Sequence, residues 1–209
     1  MSRSSILLFL IMPFFCLAQR QPKEIKEITN EGGTNSKNML LQELLNKSEK
    51  ELELMLIPCA FFKGKSYPID GAINLSKANS ILRGNFSTLV PYWKVKGSDQ
   101  LILMMCGNGL WDRIYGYILI DPNSKLIENI VFGHRAETPG LGAEISKRKF
   151  EEKFIGLEIG QTHTFLVKKN AKEDKPYQIE GITGATITGD GVTEMFRKCI
   201  DVYAGLLKT

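Results

Sequence analysis

Apolar residues recur at helical spacing between Asn38 and Leu56. They are separated by glutamate and lysine, and the apolar positions are Leu41, Leu44, Leu45, Leu52 and Met55. A stripe three to four residues apart lies on one face of a helix. The pattern predicts one amphipathic helix that covers a sheet.

A less regular region extends to about Thr88, and the pattern then changes to short runs. These runs are rich in β-branched and aromatic residues and span 90–95, 101–105, 115–120 and 126–132. Such runs predict strands. The sequence Asp-Pro-Asn-Ser at 121–124 favours a turn, so the last two strands are predicted to form a hairpin.

The last third of the chain mixes helices with one strand. Ser146 is predicted to cap a short helix that carries Phe150 and Phe154 on one face and ends at Gly156. Residues 162–167 alternate and predict a strand. Residues 191–207 predict a helix whose apolar side consists of Val192, Met195, Phe196, Cys199, Tyr203 and Leu206. Successive strands with helices before and after them predict an α+β domain with a largely antiparallel sheet flanked by helices.

The N-terminus has the pattern of an export signal. Arg3 precedes an apolar run from Ile6 to Ala18 that ends in Cys-Leu-Ala. The pattern predicts a signal peptide over 1–18, with a short membrane anchor as the alternative. Residues 19–36 are polar and are predicted to form a flexible leader, so that the domain spans 37–209. The predicted location is periplasmic or otherwise extracytoplasmic, with attachment to the inner membrane as the alternative.

Composition narrows the class of protein. Of the 209 residues, 43% are hydrophobic and 24% charged, and the net charge is +4, without the basic stripe of a nucleic-acid-binding protein. Beyond the signal segment, Cys59, Cys106 and Cys199 suit neither a disulfide framework nor a zinc site. Cys199 is predicted to be a buried thiol, whereas a disulfide between the other two stays open. His134 and His163 have no partners at ligand spacing, so no metal site is predicted.

A glycine- and threonine-rich segment over 181–191 precedes the last helix. Its glycines permit tight turns and close approach of a ligand, and Thr183, Thr186 and Thr188 offer three hydroxyls. Thr188 is predicted to cap the helix, whose free N–H groups suit a phosphate. A turn and helix cap without any ligand would explain the same spacing.

Two further segments are rich in glycine. In Glu137–Glu144, Pro139-Gly140 fits the centre of a type II turn, and the glycines on both sides of Leu141 leave N–H groups open to a planar ligand. The other segment, 107–112, leads into Tyr115-Gly116-Tyr117. An ordinary surface turn is the alternative for Glu137–Glu144, and a loop with a buried tryptophan is the alternative for 107–112.

Taken in order, these segments resemble one family. The chain is similar to the FMN-binding domain of the C subunit of the sodium-translocating NADH:quinone reductase and of the G subunit of the Rnf electron-transport complex. The resemblance covers roughly 88–207. It rests on Gly109-Leu110-Trp111, Tyr115-Gly116-Tyr117, Glu137 to Gly142, Phe150 to Phe154, and Thr183-Gly184-Ala185-Thr186.

The resemblance implies a covalent flavoprotein that takes part in electron transport. A flavin transferase would take FMN from FAD with Mg²⁺ and join the phosphate to the hydroxyl of Thr186. Gly184 and Ala185 leave room for that enzyme, and the last helix offers amide donors to the phosphate. Further predicted cofactor contacts are Thr183, Thr188, Glu137, Thr138, Gly140, Leu141, Gly142, Leu110 and Trp111. No residue is assigned a catalytic role, because the cofactor carries out the redox chemistry.

Other residues leave alternatives open. Lys168 and Lys169 either meet the phosphate or form a solvated face, and His134 can hydrogen-bond near the flavin. Glu180 stands where the family motif usually has aspartate, and the N-terminal apolar run is shorter than the family's membrane helix. The implied partners are membrane electron-transport subunits. The alternatives are a soluble periplasmic carrier, a module that binds FMN without a covalent bond, and a purely structural exported domain.

Overall fold

The computed structural model describes residues 25, 29–30, 38–75, 77–78, 89–160, 165–172, 174–175 and 177–207. The predicted signal peptide, most of the predicted leader, and the first three residues of the predicted strand 162–167 lie outside these residues, as does His163.

The fold is built on an antiparallel sheet of six strands. In chain order the strands are β1 (Thr29–Asn30), β2 (Leu56–Phe62), β3 (Lys65–Pro68), β4 (Ala72–Ile73), β5 (Leu89–Val95), β6 (Leu101–Asn108), β7 (Arg113–Ile120), β8 (Ile127–His134), β9 (Leu166–Lys168) and β10 (Gln178–Glu180). The large sheet has the order β3-β2-β5-β6-β7-β8. This arrangement confirms the predicted α+β class.

The four predicted strands of the middle segment are all present. The β7–β8 hairpin closes over the predicted turn, where Asp121 accepts the Asn123 N–H at 2.9 Å and the Ser124 hydroxyl at 2.9 Å. Strands β2 and β3 are additions, because the sequence pattern indicated no element there. Pro58 interrupts the β2 run, and a proline inside a run argues against a strand.

Helices cover both faces of the large sheet. Four α-helices have bounds that lie wholly within the described residues: α1 (Met39–Leu45), α2 (Glu49–Met55), α3 (Arg148–Glu151) and α4 (Thr186–Tyr203). Helix α4 packs on β6, where a Cβ at Gly107 would lie 3.0 Å from the Met195 Cβ. On the other face, Asn38 Nδ2 donates to the Tyr117 hydroxyl at 2.6 Å, and Asn129 Nδ2 donates to the Leu44 carbonyl at 2.5 Å.

The single helix predicted over 38–56 is wrong, because two helices occupy that segment. Asn46 takes a left-handed conformation with φ of 50° and ends α1. Ser48 and Glu51 then form a capping box that starts α2. Both helices bury leucines at helical spacing, namely Leu41 and Leu44 in α1 and Leu52 in α2. The apolar pattern alone therefore does not reveal the break between them.

The short helix after the Pro-Gly turn is more broken than predicted. A 3-10 turn over Gly142–Ser146 precedes α3, and a second over Glu152–Phe154 follows it. Ser146 does not cap α3, since Lys147 holds that position and the Ser146 hydroxyl donates to the Ala143 carbonyl. The predicted aromatic face is confirmed, because Phe150 and Phe154 are buried in a cluster with Phe132, Phe165 and Phe196. Burying each such ring contributes about 1.5–3 kcal/mol.

Two-stranded pairings stand beside the large sheet. Strand β9 pairs in parallel with β10 and brings the segment before Thr186 alongside Leu166–Lys168. Strand β1 pairs with β4, and Ile25 is buried. These residues, which fall in the predicted leader, therefore contact the rest of the fold, and the flexible leader stays a prediction.

Cys59, Cys106 and Cys199 are buried, and Cys59 and Cys106 do not form a disulfide with each other. Burial raises the pKa of the Cys199 thiol, consistent with the predicted buried position on the apolar face of the last helix. Among the described helices, none combines the length and the apolar content needed to cross a bilayer.

Candidate functional site

Glu137 lies where the three glycine-rich segments meet. Its side chain is only 4% exposed. Its Oε1 atom accepts the backbone N–H of Trp111 at 3.0 Å, and its Oε2 atom accepts the Thr188 hydroxyl at 2.5 Å. Segments 26 and 51 residues away in sequence are thus joined through one buried carboxylate. Glu137 and Thr188, both predicted as cofactor contacts, are hydrogen-bonded to each other.

Two glycines make room for this carboxylate. A Cβ at Gly109 would overlap Oε1 of Glu137, and a Cβ at Gly142 would overlap Oε2 and lie 2.6 Å from the Thr188 hydroxyl oxygen. Neither glycine has a positive φ. Glycine is therefore required at these two positions because the Glu137 side chain approaches the backbone closely, and not because the backbone takes a left-handed conformation.

The turn at Pro139-Gly140 has the predicted shape. Gly140 has φ of 76°, as the third position of a type II turn requires. Leu141 N–H and Ala143 N–H both donate to the Thr138 carbonyl at 3.1 Å, and Gly140 N–H donates to Glu144 Oε1 at 3.2 Å. The N–H groups of Gly140 and Leu141 are therefore engaged within the protein and are not among the N–H groups that the two glycines leave open to a ligand.

Three large apolar side chains and one threonine are exposed on these segments, and we call them the apolar platform: Leu110, Trp111, Leu141 and Thr138. The exposed fractions are 45% for Leu110, 67% for Trp111 and 40% for Leu141. The Trp111 indole N–H donates to the Thr138 hydroxyl at 3.2 Å, which fixes the ring. A Cβ at Gly184 would lie 2.9 Å from a Leu141 methyl, so the platform is in contact with the glycine- and threonine-rich segment 181–191. Grouped exposed apolar side chains of this kind mark binding surfaces.

Thr186 is the first residue of α4. The residue before it, Ala185, makes no side-chain cap. Thr186 is exposed, and its hydroxyl makes no hydrogen bond with any described residue. The helix thus begins five residues earlier than the predicted start at Gly191. The prediction that Thr188 caps the helix is wrong, because Thr188 is buried in the first turn and donates to Glu137.

A cavity of about 180 Å³, here called the attachment cavity, opens beside Thr186. It is lined by residues 181–186, Gly189 and Val167–Lys169. Lys168 and Lys169 are exposed and line this cavity, and both a phosphate contact and a solvated face stay predictions. Gly184 takes φ of 79° there, so this turn requires glycine.

Glu180 fixes the loop that carries Lys169. Its carboxylate accepts the N–H groups of Asn170 at 3.2 Å and Ala171 at 2.7 Å. These backbone hydrogen bonds lower the pKa of Glu180. The Lys153 ammonium donates to the Glu180 carbonyl at 2.8 Å. The residue that departs from the family motif thus holds one wall of the attachment cavity, and its side chain is not among the residues that line it.

Sequence reasoning missed two features of the site. One is the part played by His134, whose Nδ1 accepts the Glu137 N–H at 3.3 Å and so holds the backbone of the central carboxylate. The other is Lys153, which sits between the aromatic cluster and the threonine segment. Lys153 carries no local signal because its partner Glu180 lies 27 residues away. The contact of His134 is local, but no motif marks an imidazole that accepts an N–H three residues later.

Comparison with known proteins agrees with this geometry. The family model described as the FMN-binding domain matches residues 109–201. The C subunit of the Na(+)-translocating NADH-quinone reductase from Haemophilus ducreyi is 28% identical over 195 residues, which cover 86% of this chain and 76% of that protein. The corresponding protein from Neisseria meningitidis serogroup A is 40% identical over 109 residues, which cover 49% of this chain and 42% of that protein. This chain therefore spans less than half the length of the Neisseria relative.

Solved structures give the same assignment. The C subunit of the same reductase from Parabacteroides distasonis superposes with a TM-score of 0.66 at 26% identity, covering 81% of this chain and 89% of that one. NqrC from Shewanella oneidensis gives a TM-score of 0.63 at 17% identity, over 81% of this chain and 95% of that one, which shows the shared fold. The resemblance inferred from the motifs is confirmed, as are the fold class and FMN as the cofactor.

Proposed function

We propose, from the premise that residues 109–201 belong to the FMN-binding domain family, that this chain is an exported flavoprotein that carries FMN on Thr186 and transfers electrons. The observation that carries the proposal is the state of Thr186. It is an exposed hydroxyl without a hydrogen-bond partner among the described residues, at the start of a helix and beside a cavity with two lysines.

The residues present fit the phosphate end of FMN. The N–H groups in the first turn of α4 have no side-chain cap, and a helix N-terminus favours an anion. Lys168 and Lys169 would add positive charge at the same cavity. Gly184, Ala185 and Thr183 would complete its wall without crowding the linkage.

The residues present also fit the ring end. The apolar platform would hold the isoalloxazine ring, and the Trp111–Thr138 hydrogen bond would keep the platform in place. Glu137, Gly109 and Gly142 would act on the ring indirectly, because they hold the loops that present the platform. Bound FMN accepts and passes on electrons, so the chain itself supplies position and surroundings.

Attachment of FMN to Thr186 is a phosphoryl transfer from FAD to the threonine hydroxyl. The Thr186 oxygen forms a bond to the FMN phosphorus of FAD, the bond from that phosphorus to the bridging oxygen breaks, and adenosine monophosphate leaves. The hydroxyl proton passes to a base of the transferring enzyme, which also holds the Mg²⁺. No oxidant or reductant is consumed. The accessible hydroxyl and its small neighbours suit attack under the control of a second protein.

Two observations support export and electron transport. The segment from Arg3 to Ala18 has the pattern of an export signal. The relatives are named as subunits of a reductase that moves sodium and acts on NADH and quinone. We propose that this chain passes electrons to or from membrane-bound proteins of that kind. A soluble carrier that serves another reductase is the alternative role.

The test is flavin labelling in cells that co-express the chain and a flavin transferase. We expect a fluorescent band that survives denaturing electrophoresis, and an FMN-phosphoryl mass on the peptide that contains Thr186. Thr186→Val should abolish both signals, whereas Ser124→Ala, which removes an exposed hydroxyl on the β7–β8 turn, should keep them. Label that persists in Thr186→Val would refute the attachment site. Flavin that is lost on denaturation would show non-covalent binding instead.

A further inference from the structure

A second cavity lies on the other side of the segment that leads to Thr186. It has a volume of about 230 Å³ and shares Gly181 and Ile182 with the attachment cavity. Its other walls come from residues 144–153, where Lys147, Lys149 and Lys153 line it together with Glu144 and Phe150. The strand-to-helix segment with Thr186 therefore runs between two cavities, each of which is lined by lysines.

These lysines carry charge that the protein does not neutralise by ion pairs. We call the five of them the lysine rim: Lys147, Lys149, Lys153, Lys168 and Lys169. None forms an ion pair within 4 Å with an acid of the described residues. By contrast, Arg148, between two rim lysines in sequence, pairs with Glu152 at 3.2 Å. Ion pairs therefore do form on this surface, but within the described part of the chain none of them includes a rim lysine.

Glu144 lines the second cavity together with three of the rim lysines, and the Glu180 carboxylate interacts with Lys153 and Lys169, so the five lysines face two carboxylates here. Glu144 accepts the Gly140 N–H, and Glu180 accepts the N–H groups of Asn170 and Ala171. Lys153 is held in place, since it donates to the Glu180 carbonyl and lies 5.3 Å from the centre of the Phe150 ring. A solvated surface normally mixes both signs of charge. Here one sign prevails around a single segment, and such fields steer partners of opposite charge.

We propose that the lysine rim is the docking site for an acidic surface of the enzyme that attaches FMN to Thr186. This inference rests on the proposed function. An enzyme that esterifies Thr186 must cover the segment 181–186, and the rim lysines line the cavities on both sides of that segment. The footprint of the transferring enzyme therefore includes the rim. Charge complementarity at such a rim raises the rate of association more than the rate of the reaction itself.

The test measures flavin transfer to the purified full chain with FAD, Mg²⁺ and a flavin transferase. Initial labelling rates are recorded against chain concentration at low and high salt. The variant Lys147→Glu/Lys149→Glu changes two rim residues that lie outside the attachment cavity. We expect its half-saturating concentration to rise about ten-fold at low salt, as for the loss of charge pairs at an interface. Added salt should narrow the difference, because it screens exposed charges.

A matched control carries the same charge change elsewhere. Lys63→Glu/Lys65→Glu alters two exposed lysines on the β2–β3 hairpin, at the opposite edge of the sheet from β8. It should leave the half-saturating concentration unchanged. The neutral variant Lys147→Gln/Lys149→Gln should give an intermediate rise, and thermal unfolding of each variant verifies its fold. Equal half-saturating concentrations for the rim variant and the control would overturn the docking site. An unlabelled wild-type chain would instead overturn the proposed function.

Discussion

At the scale of single residues, Glu137 explains why two of the three segments carry glycine. The carboxylate needs two donors because it is buried, and it obtains them from Trp111 and Thr188. It then excludes a Cβ at Gly109 and at Gly142. Glycine at a loop position can indicate a ligand that approaches the backbone. At Gly109 and Gly142 the approaching group is instead the Glu137 side chain of the protein itself.

Replacing Thr188 by valine tests this arrangement. Valine keeps the volume but removes the donor to Oε2 of Glu137, which leaves a buried carboxylate oxygen without that partner. We expect the free energy of unfolding to fall by about 1–3 kcal/mol. Urea unfolding of the flavin-free protein measures the change. Thr183→Val is the control, since Thr183 is exposed, and its effect should stay within about 0.5 kcal/mol. Equal effects of the two variants would refute the role of Glu137.

At the scale of elements, α4 shows where sequence reasoning fails. Its first turn contains Thr186, Ile187, Thr188 and Gly189, which are poor helix formers, so the pattern placed the start at Gly191. Contacts distant in sequence override that preference: Thr188 bonds to Glu137, and Gly189 packs against Val167. The break between α1 and α2 differs, because Ser48 followed by Glu51 is a capping-box pattern that the sequence displays.

The C-terminal end of α4 is fixed to the sheet by one hydroxyl. The paired register of β5 and β6 stops at Tyr92 and Leu103. One residue further, the Tyr203 hydroxyl donates to the Pro91 carbonyl at 2.5 Å and accepts the Met104 N–H at 3.1 Å. The hydroxyl thus satisfies two backbone groups where the strand ladder ends.

Tyr203→Phe should therefore destabilise the protein. It leaves the Met104 N–H and the Pro91 carbonyl buried without this partner, which costs about 1–3 kcal/mol. Chemical denaturation measures the loss. The control is Tyr67→Phe, at a half-buried tyrosine on the edge strand β3, which should have little effect. A Tyr203→Phe protein as stable as wild type would show that water replaces the hydroxyl.

At the scale of the whole molecule, local patterns predicted the part of the fold whose contacts are local. The β7–β8 hairpin was predictable because its turn residues stand between its strands. The pairing of β2 with β5 was not, because the two strands are far apart in sequence and Pro58 disguises the first. The same holds for the site. Its motifs were visible in the sequence, whereas the carboxylate that joins them depends on contacts across the fold.

The stability of the whole molecule should depend on pH through Glu151. This carboxyl is buried and accepts the Phe132 N–H on the edge strand β8 at 2.8 Å. Burial, with a smaller contribution from Glu43, raises its pKa from 4.5 to about 7. Between these two values the folded state binds more protons than the unfolded state. The stabilisation is therefore complete below pH 4.5 and is lost as pH rises through 7.

Glu151→Gln separates this titration from the hydrogen bond, because the amide oxygen can still accept the Phe132 N–H. Wild type should lose on the order of 1–2 kcal/mol of unfolding free energy between about pH 5 and pH 8, less than the full shift gives, since solvent screens part of it. The Gln variant should lose much less over the same range. Glu194→Gln, at an exposed carboxylate paired with Arg197 and distant in sequence from Glu151, should retain the wild-type dependence. Parallel curves for wild type and Glu151→Gln would mean that another group, and not this buried carboxyl at the sheet edge, controls the response.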